Sequence, residues 1–250
     1  MRGTELTQFL DGLTHRIESY INSADNSGHK TVDYLTPSSR GQSTDLSLPL
    51  EGNGSQSILD DIDEFLRQCV RTNRPEFMNP LWGGLNVAGF AGEVIAALTN
   101  QSMYTYELSP IATLIEQAIV ERMMEIVGYA EGFGTLTTGG SNGNMIGMLC
   151  ARQASDPMSS VAGFDGSKYV AFVSAEAHYS VLMSANVVGI GYQNLVKVAC
   201  DSRGRMKPES LVEEIVRART NGQTPFCIIA TSGTTVRGAF DPLKEICLVY

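Results

Sequence analysis

The segment with the clearest capacity for chemistry is a run of small polar residues, TTGGSNGN at positions 137–144, which leads directly into an apolar stretch. Glycines let the backbone come close to an anion, and the free amides and positive dipole of a helix start favour a phosphate there. Ser141 and Asn142 add side-chain donors. The run lacks the spacing of a dinucleotide fingerprint and the lysine of a P-loop. It predicts a phosphate site, with a helix cap that binds no ligand as the alternative.

Two further polar segments follow apolar runs that are typical of strands. His178 lies in SAEAHYS, just past the run at 169–174, and TSGTT at 231–235 follows the run at 226–230. In open α/β sheets, ligands bind at the carboxyl ends of the strands. Both segments are therefore candidate parts of a site. A hydrogen-bonded structural histidine and a plain turn stay open as the alternatives.

The elements that must position these residues differ between the two parts of the chain. In the first part, apolar residues at helical spacing over 6–21 predict an amphipathic helix, and a Ser-, Gly-, Asn- and Pro-rich linker follows it. Further helices are expected to begin at Ser57 and end near Asn73, to span residues 87–98, and to begin at Ser109 ahead of a proline. The last of these is expected to be long and well buried.

Strands and helices alternate in the second part of the chain. The predicted strands span residues 169–174, 195–199 and 226–231, and the predicted helices start near Asn144, Tyr179 and Pro208. Such alternation is typical of an α/β fold with a mostly parallel sheet.

The composition narrows the function classes. The 250 residues are 43% hydrophobic and 18% charged, as in a globular protein, and the net charge of -9 argues against a nucleic-acid or anionic-membrane partner. No apolar run approaches the roughly 20 residues of a membrane span, and no secretory signal is recognisable. The five cysteines form no CxxC pair, so neither a disulfide framework nor a metal site is expected. We expect a cytoplasmic protein that acts on a small molecule.

Six short blocks resemble those of a known family, both in sequence and in their order along the chain. The blocks are NPL at 79–81, MYTYELSP at 103–110, GGSN at 139–142, HYS at 178–180, ATSGTTV at 230–236 and GAFDP at 238–242. They are similar to the successive blocks of group II pyridoxal-phosphate (PLP) dependent amino-acid decarboxylases. Among these enzymes, glutamate and cysteine-sulfinate decarboxylases resemble the blocks most in sequence. The resemblance runs from about residue 58 to residue 250.

The resemblance implies a type I PLP-dependent transferase fold and a dimeric core. Residues 58–250 would form an incomplete large domain with a mostly parallel sheet, and residues 1–57 a helical arm with a linker. The resemblance also implies roles for eight residues. Gly140, Ser141 and Asn142 would hold the PLP phosphate, catalytic His178 would stack on the cofactor ring near the substrate carboxylate, Thr231 and Thr234 would flank the cofactor, and Asn79 and Tyr104 would lie near the substrate.

Two groups that the family needs are not found among these residues. In the family, an aspartate binds the ring nitrogen and a lysine forms the Schiff base with PLP, and both lie downstream of the GAFDP block. The lysines here, Lys30, Lys168, Lys197, Lys207 and Lys244, lack that context. We therefore expect a split, heteromeric decarboxylase in which a complementary carboxy-terminal chain carries the catalytic lysine, the aspartate and the small domain.

Two alternatives to this expectation stay open. One is a non-catalytic subunit that pairs with an intact homologue, and the other is a different PLP reaction on the same scaffold. The identity of the substrate stays open as well. Pro80 occupies the position at which glutamate decarboxylases have a glutamine, and proline has no side-chain hydrogen-bond donor.

Overall fold

A computed structural model of the chain describes residues 3–24, 28, 30–79 and 81–249, so Pro80 lies outside the described residues. The chain divides into two compact units, Met1–Ser102 and Met103–Tyr250, and each is described by itself. The predicted division into an arm of residues 1–57 and a partial domain of residues 58–250 stays a prediction.

The first unit is helical. Its helices are α1 (Thr4–Asn22), α2 (Pro37–Ser43), α3 (Gly54–Gln68) and α4 (Val87–Thr99). Helix α1 packs on α3, where the Arg16 guanidinium donates to the Leu59 carbonyl at 3.1 Å and pairs with Asp63 at 2.6 Å. The first and last of these helices match the prediction closely.

The prediction for α3 was wrong at both ends. The helix begins at Gly54, so Ser57 lies inside its first turn and is not its cap. It ends at Gln68 because the backbone of Cys69 is extended. The segment that follows is bonded to another part of the unit, since the Arg71 N–H donates to the Thr31 carbonyl at 2.9 Å. A tertiary hydrogen bond therefore replaces the helical one.

The second unit is α/β, as the sequence predicts. Three parallel strands, β1 (Tyr169–Ser174), β2 (Leu195–Val198) and β3 (Thr224–Ile229), form a sheet in the order β2-β1-β3. Phe172 of β1 pairs with Val196 on one side and Ile228 on the other. The elements in chain order are α5 (Pro110–Val127), α6 (Gly140–Ser155), α7 (Ser159–Ala162), β1 (Tyr169–Ser174), α8 (Ser180–Val187), β2 (Leu195–Val198), α9 (Pro208–Thr220), β3 (Thr224–Ile229) and α10 (Leu243–Cys247).

Strand β1 is buried on both faces and separates two cores. Ala171 and Val173 face one core, which also contains apolar residues of α6 and α8. Val170 and Phe172 face the other core, which contains apolar residues of α9 and α10. A strand covered on both faces reads as a continuous apolar run, which explains why the predicted and observed bounds of β1 agree.

Helix α5 forms where the sequence predicts it, but the prediction that it is well buried was wrong. None of its residues is buried, and its large apolar side chains are exposed: Ile111, Leu114, Ile115, Ile119, Met123, Ile126 and Val127. Local capping and propensity suffice to form the helix, whereas burial requires a neighbouring surface. In the described part of the chain, no helix is both long and apolar enough to cross a membrane.

Asp241 fixes the loop that follows β3. It is 4% exposed, and its carboxylate accepts the Met206 N–H at 2.6 Å and the Thr231 N–H at 2.7 Å. Its own N–H donates to the Thr231 carbonyl at 2.9 Å. This one side chain therefore ties the end of β3 to the segment before α9.

Replacing Asp241 with asparagine should lower the free energy of unfolding by about 1.5–3 kcal/mol, because an amide NH2 would face a backbone N–H in place of a charged acceptor. Urea denaturation followed by circular dichroism measures the loss. Glu213→Gln, which removes a carboxylate from an exposed position of α9, is the control and should stay within about 0.5 kcal/mol of the unmodified protein. Equal stabilities of the two variants would contradict the role given to Asp241.

Candidate active site

The first turn of α6 forms an open cradle of backbone amides. Gly139 caps the helix with φ 145° and ψ 165°, a conformation that is essentially restricted to glycine. The N–H groups of Gly140, Ser141 and Asn142 belong to the first turn, where amides have no acceptor within the helix. A Cβ atom added at Gly139 or Gly140 would meet no atom within 4 Å, so the approach to these amides is open.

The observed start of α6 corrects the prediction by one turn. The helix begins at Gly140 and not near Asn144, because the backbone turns at Gly139 and the Gly143 N–H donates to the Gly139 carbonyl at 3.0 Å. The Thr137 hydroxyl donates to the same carbonyl at 3.1 Å. Asn144 consequently lies on the helix, with its side chain available for contacts beside the cradle.

His178 lies in the loop after β1, at the carboxyl edge of the sheet. Its Nδ1 is 2.8 Å from the Ser180 Oγ and accepts the Ser180 backbone N–H at 3.2 Å. A backbone N–H can only donate, so Nδ1 is the unprotonated nitrogen of the neutral ring, and Nε2 carries the hydrogen. The orientation of the half-buried imidazole is thus defined by Ser180, the first residue of the following helix α8.

Ser180 joins His178 to the cradle helix. Its side chain is buried, and its Oγ accepts a hydrogen bond from the Asn144 Nδ2 at 2.9 Å. The structure therefore brings together two of the predicted parts, the turn at 140–142 and His178. Neither Asn144 nor Ser180 was predicted as a site residue. The signal for Ser180 was its place in the HYS block, directly after the histidine.

The surroundings of His178 are mostly apolar. The Tyr179 ring lies 4.2 Å from the imidazole, centroid to centroid, at an interplanar angle of 36°. A cavity of about 140 Å³ beside the imidazole is lined by Tyr179, Leu182 and Lys197, among others. Lys197 is exposed on the edge strand β2.

Thr231 and Thr234 lie in the loop after β3, which leaves the sheet at the same carboxyl edge. Thr234 is buried, and its hydroxyl oxygen accepts the Ala239 N–H at 3.0 Å. The backbone of Thr231 is bonded to Asp241 in both directions. These hydrogen bonds hold both threonines within the loop. Their contact with a cofactor stays a prediction.

An ion pair joins two of the loops at this edge. Arg237, from the loop after β3, lies 3.8 Å from Glu176 in the loop that carries His178. The Arg237 side chain also passes Gly204 in the loop after β2, where an added Cβ would come within 3.2 Å of it. The pair is half-exposed, so its contribution to stability is small. Its position nevertheless shows that the loops of all three strands meet at this edge.

Asn79 and Tyr104, the two predicted substrate residues, lie in different units. Asn79 belongs to the first unit, and its side-chain oxygen accepts the Leu81 N–H at 2.8 Å. Tyr104 lies in the turn before α5, and 87% of its surface is exposed. The predicted contacts of both residues with a substrate stay predictions.

Comparison with known proteins points to one family. A family model described as the pyridoxal-dependent decarboxylase conserved domain matches residues 37–250. The acidic amino acid decarboxylase of Mus musculus is 39% identical over 234 residues, which cover 93% of this chain and 42% of that protein. The cysteine sulfinic acid decarboxylase of Mus musculus is 36% identical over 231 residues, which cover 92% of this chain and 47% of that protein.

The similarity extends to three-dimensional structure. The crystal structure of mouse CSAD superposes with a TM-score of 0.92 at 34% sequence identity, covering 98% of this chain and 52% of that one. The chain thus spans less than half the length of the two curated relatives, and about half of the CSAD chain.

Replacing Gly139 with alanine should weaken binding of pyridoxal 5'-phosphate by on the order of 10-fold or more. The strain of a non-glycine residue in this backbone region, roughly 1–3 kcal/mol, would be relieved by rotating the cradle amides away from the phosphate. Absorbance titration with pyridoxal 5'-phosphate measures the affinity.

Gly147→Ala is the matched control for this substitution. It places the same methyl group later in α6, where an added Cβ meets no atom within 4 Å, and alanine there favours the helix by about 0.5–1 kcal/mol. The control should keep the original affinity. Unchanged affinity in Gly139→Ala would show that the cradle does not depend on this backbone conformation.

Proposed function

The chain belongs to the pyridoxal-dependent decarboxylase family, and from that premise we propose that it supplies the phosphate- and ring-binding half of an enzyme that removes the α-carboxylate of an L-amino acid. The products are an amine and carbon dioxide, which makes the enzyme a carboxy-lyase. The observation that carries the proposal is the linked arrangement of the α6 cradle and His178 through Asn144 and Ser180.

The residues present fit the family's cofactor, pyridoxal 5'-phosphate. Its phosphate is a dianion, and the α6 start offers open first-turn amides, the positive end of a 16-residue helix, and the side chains of Ser141 and Asn142. When bound, the cofactor supplies a conjugated pyridine ring that accepts the electrons of the broken carbon–carboxylate bond. Gly140, Ser141 and Asn142 are the proposed phosphate ligands.

His178 is the proposed catalytic residue of this chain. Its neutral imidazole keeps the hydrogen on Nε2, because Nδ1 is occupied by the two donors of Ser180. We assign the ring to stacking on the cofactor and the Nε2–H to the substrate carboxylate, which it would orient for departure. Thr231 and Thr234 are proposed to flank the cofactor, and Asn79 and Tyr104 to approach the substrate.

A complementary chain is proposed to complete the site. The Schiff-base lysine and the ring-nitrogen aspartate would come from that carboxy-terminal chain, in a hetero-oligomer with a dimeric core. The apolar surface of α5 supports this proposal, because exposed apolar side chains along the whole length of a helix are unfavourable without a covering partner.

The first substrates to test are amino acids with acidic side chains, because the relatives are named acidic amino acid and cysteine sulfinic acid decarboxylases. Aspartate, cysteine sulfinate and glutamate are each incubated with the assembled protein and pyridoxal 5'-phosphate, and carbon dioxide and amine are measured together. Equal amounts of both support the proposal. An aldehyde product indicates another PLP reaction, and no turnover by any assembly indicates a non-catalytic subunit.

The proposed location of the activity is the cytoplasm. All five cysteines are free thiols in the structure, which fits a reducing compartment.

Replacing His178 with alanine should lower kcat of the assembled enzyme by on the order of 100-fold, the size of loss that follows removal of one well-placed donor from an active site. The fold should persist, because Ser180 keeps its bond from Asn144. The initial rate of carbon dioxide release is the measurement.

His15→Ala is the control for the histidine substitution. His15 is an exposed residue of α1 with no proposed role in the chemistry, and its replacement should leave kcat within about twofold. A His178→Ala enzyme with the original rate would refute the catalytic assignment.

A further inference from the structure

Ser180 is a buried junction between three parts of the second unit. It is 2% exposed, and its Oγ lies 2.9 Å from the Asn144 Nδ2 and 2.8 Å from the His178 Nδ1. Its carbonyl accepts the Ser184 hydroxyl at 2.7 Å, and its N–H donates to Nδ1 at 3.2 Å. Every polar group of this residue therefore has a partner.

The direction of each bond follows from the chemistry of the donors. The Asn144 Nδ2 can only donate, so the Ser180 Oγ accepts that bond and its own hydrogen remains for another acceptor. Nδ1 is that acceptor, since it already receives the backbone N–H of Ser180. The hydrogen bonds therefore run in one direction, from Asn144 of α6 through the Ser180 hydroxyl to Nδ1 of the imidazole, and the ring hydrogen is on Nε2.

We propose that Asn144 and Ser180 are positioning residues that hold the His178 imidazole in one tautomer and in a fixed place relative to the α6 cradle. The inference rests on the proposed function, because it assigns the reason for fixing Nε2–H to the substrate carboxylate. Asn144 sits one turn into the helix whose start forms the cradle, and Ser180 sits at the start of α8. These two residues would therefore fix the distance between an anion bound at the cradle and the His178 ring.

The burial of Ser180 makes this arrangement specific. Removing one partner leaves a donor or acceptor without its bond in a site from which water is largely excluded, which costs more than a surface hydrogen bond. Loss of the hydroxyl also leaves Nδ1 with the single, longer bond from the backbone. The imidazole then rotates more freely about its side-chain torsions.

The matched pair of variants is Ser180→Ala and Ser184→Ala. Both remove a buried hydroxyl from α8, but only the first removes a bond to His178. In the assembled enzyme, Ser180→Ala should lower kcat about 10-fold, the equivalent of one hydrogen bond, with little change in KM. Ser184→Ala should change kcat less than twofold, although urea denaturation should show a similar loss of stability for both.

A spectroscopic measurement separates positioning from folding and from activity. This chain is labelled with 15N-histidine and assembled with unlabelled partner, and the His178 signals are recorded without cofactor. The Nδ1 shift should move toward that of a free acceptor nitrogen in Ser180→Ala and stay in place in Ser184→Ala. Assignment is simple because the chain has three histidines.

Asn144→Asp provides a second variant that should fold, because Asn144 is exposed and a carboxylate near a helix start is favourable. The carboxylate can only accept, so the Ser180 hydroxyl should turn toward it, and the Nδ1 shift should change as it does in Ser180→Ala.

Two results would overturn the positioning proposal: an unchanged Nδ1 shift in both Ser180→Ala and Asn144→Asp, or the same loss of kcat in Ser184→Ala as in Ser180→Ala. If the unmodified assembly forms no amine, the decarboxylase proposal fails instead. The Nδ1 shifts, which need neither cofactor nor turnover, then decide the positioning proposal alone.

Discussion

The burial of β1 on both faces is the constraint on which the second unit depends. A strand with apolar neighbours above and below must satisfy its backbone groups through other strands, and β1 does so by pairing with β2 and β3 in parallel. Parallel pairing requires a crossover after each strand, which places helices on both faces of the sheet. It also directs the three carboxyl ends to the same edge, where the loop with His178 and the loop with Thr234 are joined by the Arg237–Glu176 ion pair.

The parts of the fold that could be predicted are those in which local pattern and tertiary environment agree. The bounds of β1 follow from a continuous apolar run, and α9 starts at Pro208 because proline suits the first turn of a helix. Two of the errors arise where the tertiary environment decides. Helix α3 ends early because Arg71 bonds to Thr31, and α5 is exposed although its sequence is that of a buried helix. No local signal carries that information.

The candidate site was predictable in its types of residue but not in its connections. The glycine-rich turn and the histidine each stand beside a recognisable element, so composition and order are enough to predict them as candidates. The link between them is a hydrogen bond from Asn144 to Ser180, residues that are 36 positions apart, and only the packing of α6 against α8 creates it. Thr234 is a different case. Its hydroxyl oxygen accepts the Ala239 N–H and so stabilises the loop, a role that its place in the sequence block does not indicate.

The proposal that two chains contribute different residues to one active site has a physical basis in the second unit. The contacts that hold the cradle, Asn144, Ser180 and His178 all lie within this unit, so the groups proposed to bind and orient have their geometry without a partner chain. Preorganised donors need no reorganisation when charge develops near them. The apolar surface of α5, by contrast, gains stability only when it is covered. In the proposed assembly, burial of this apolar area would supply the driving force, and the partner would add the reactive lysine to the proposed binding site.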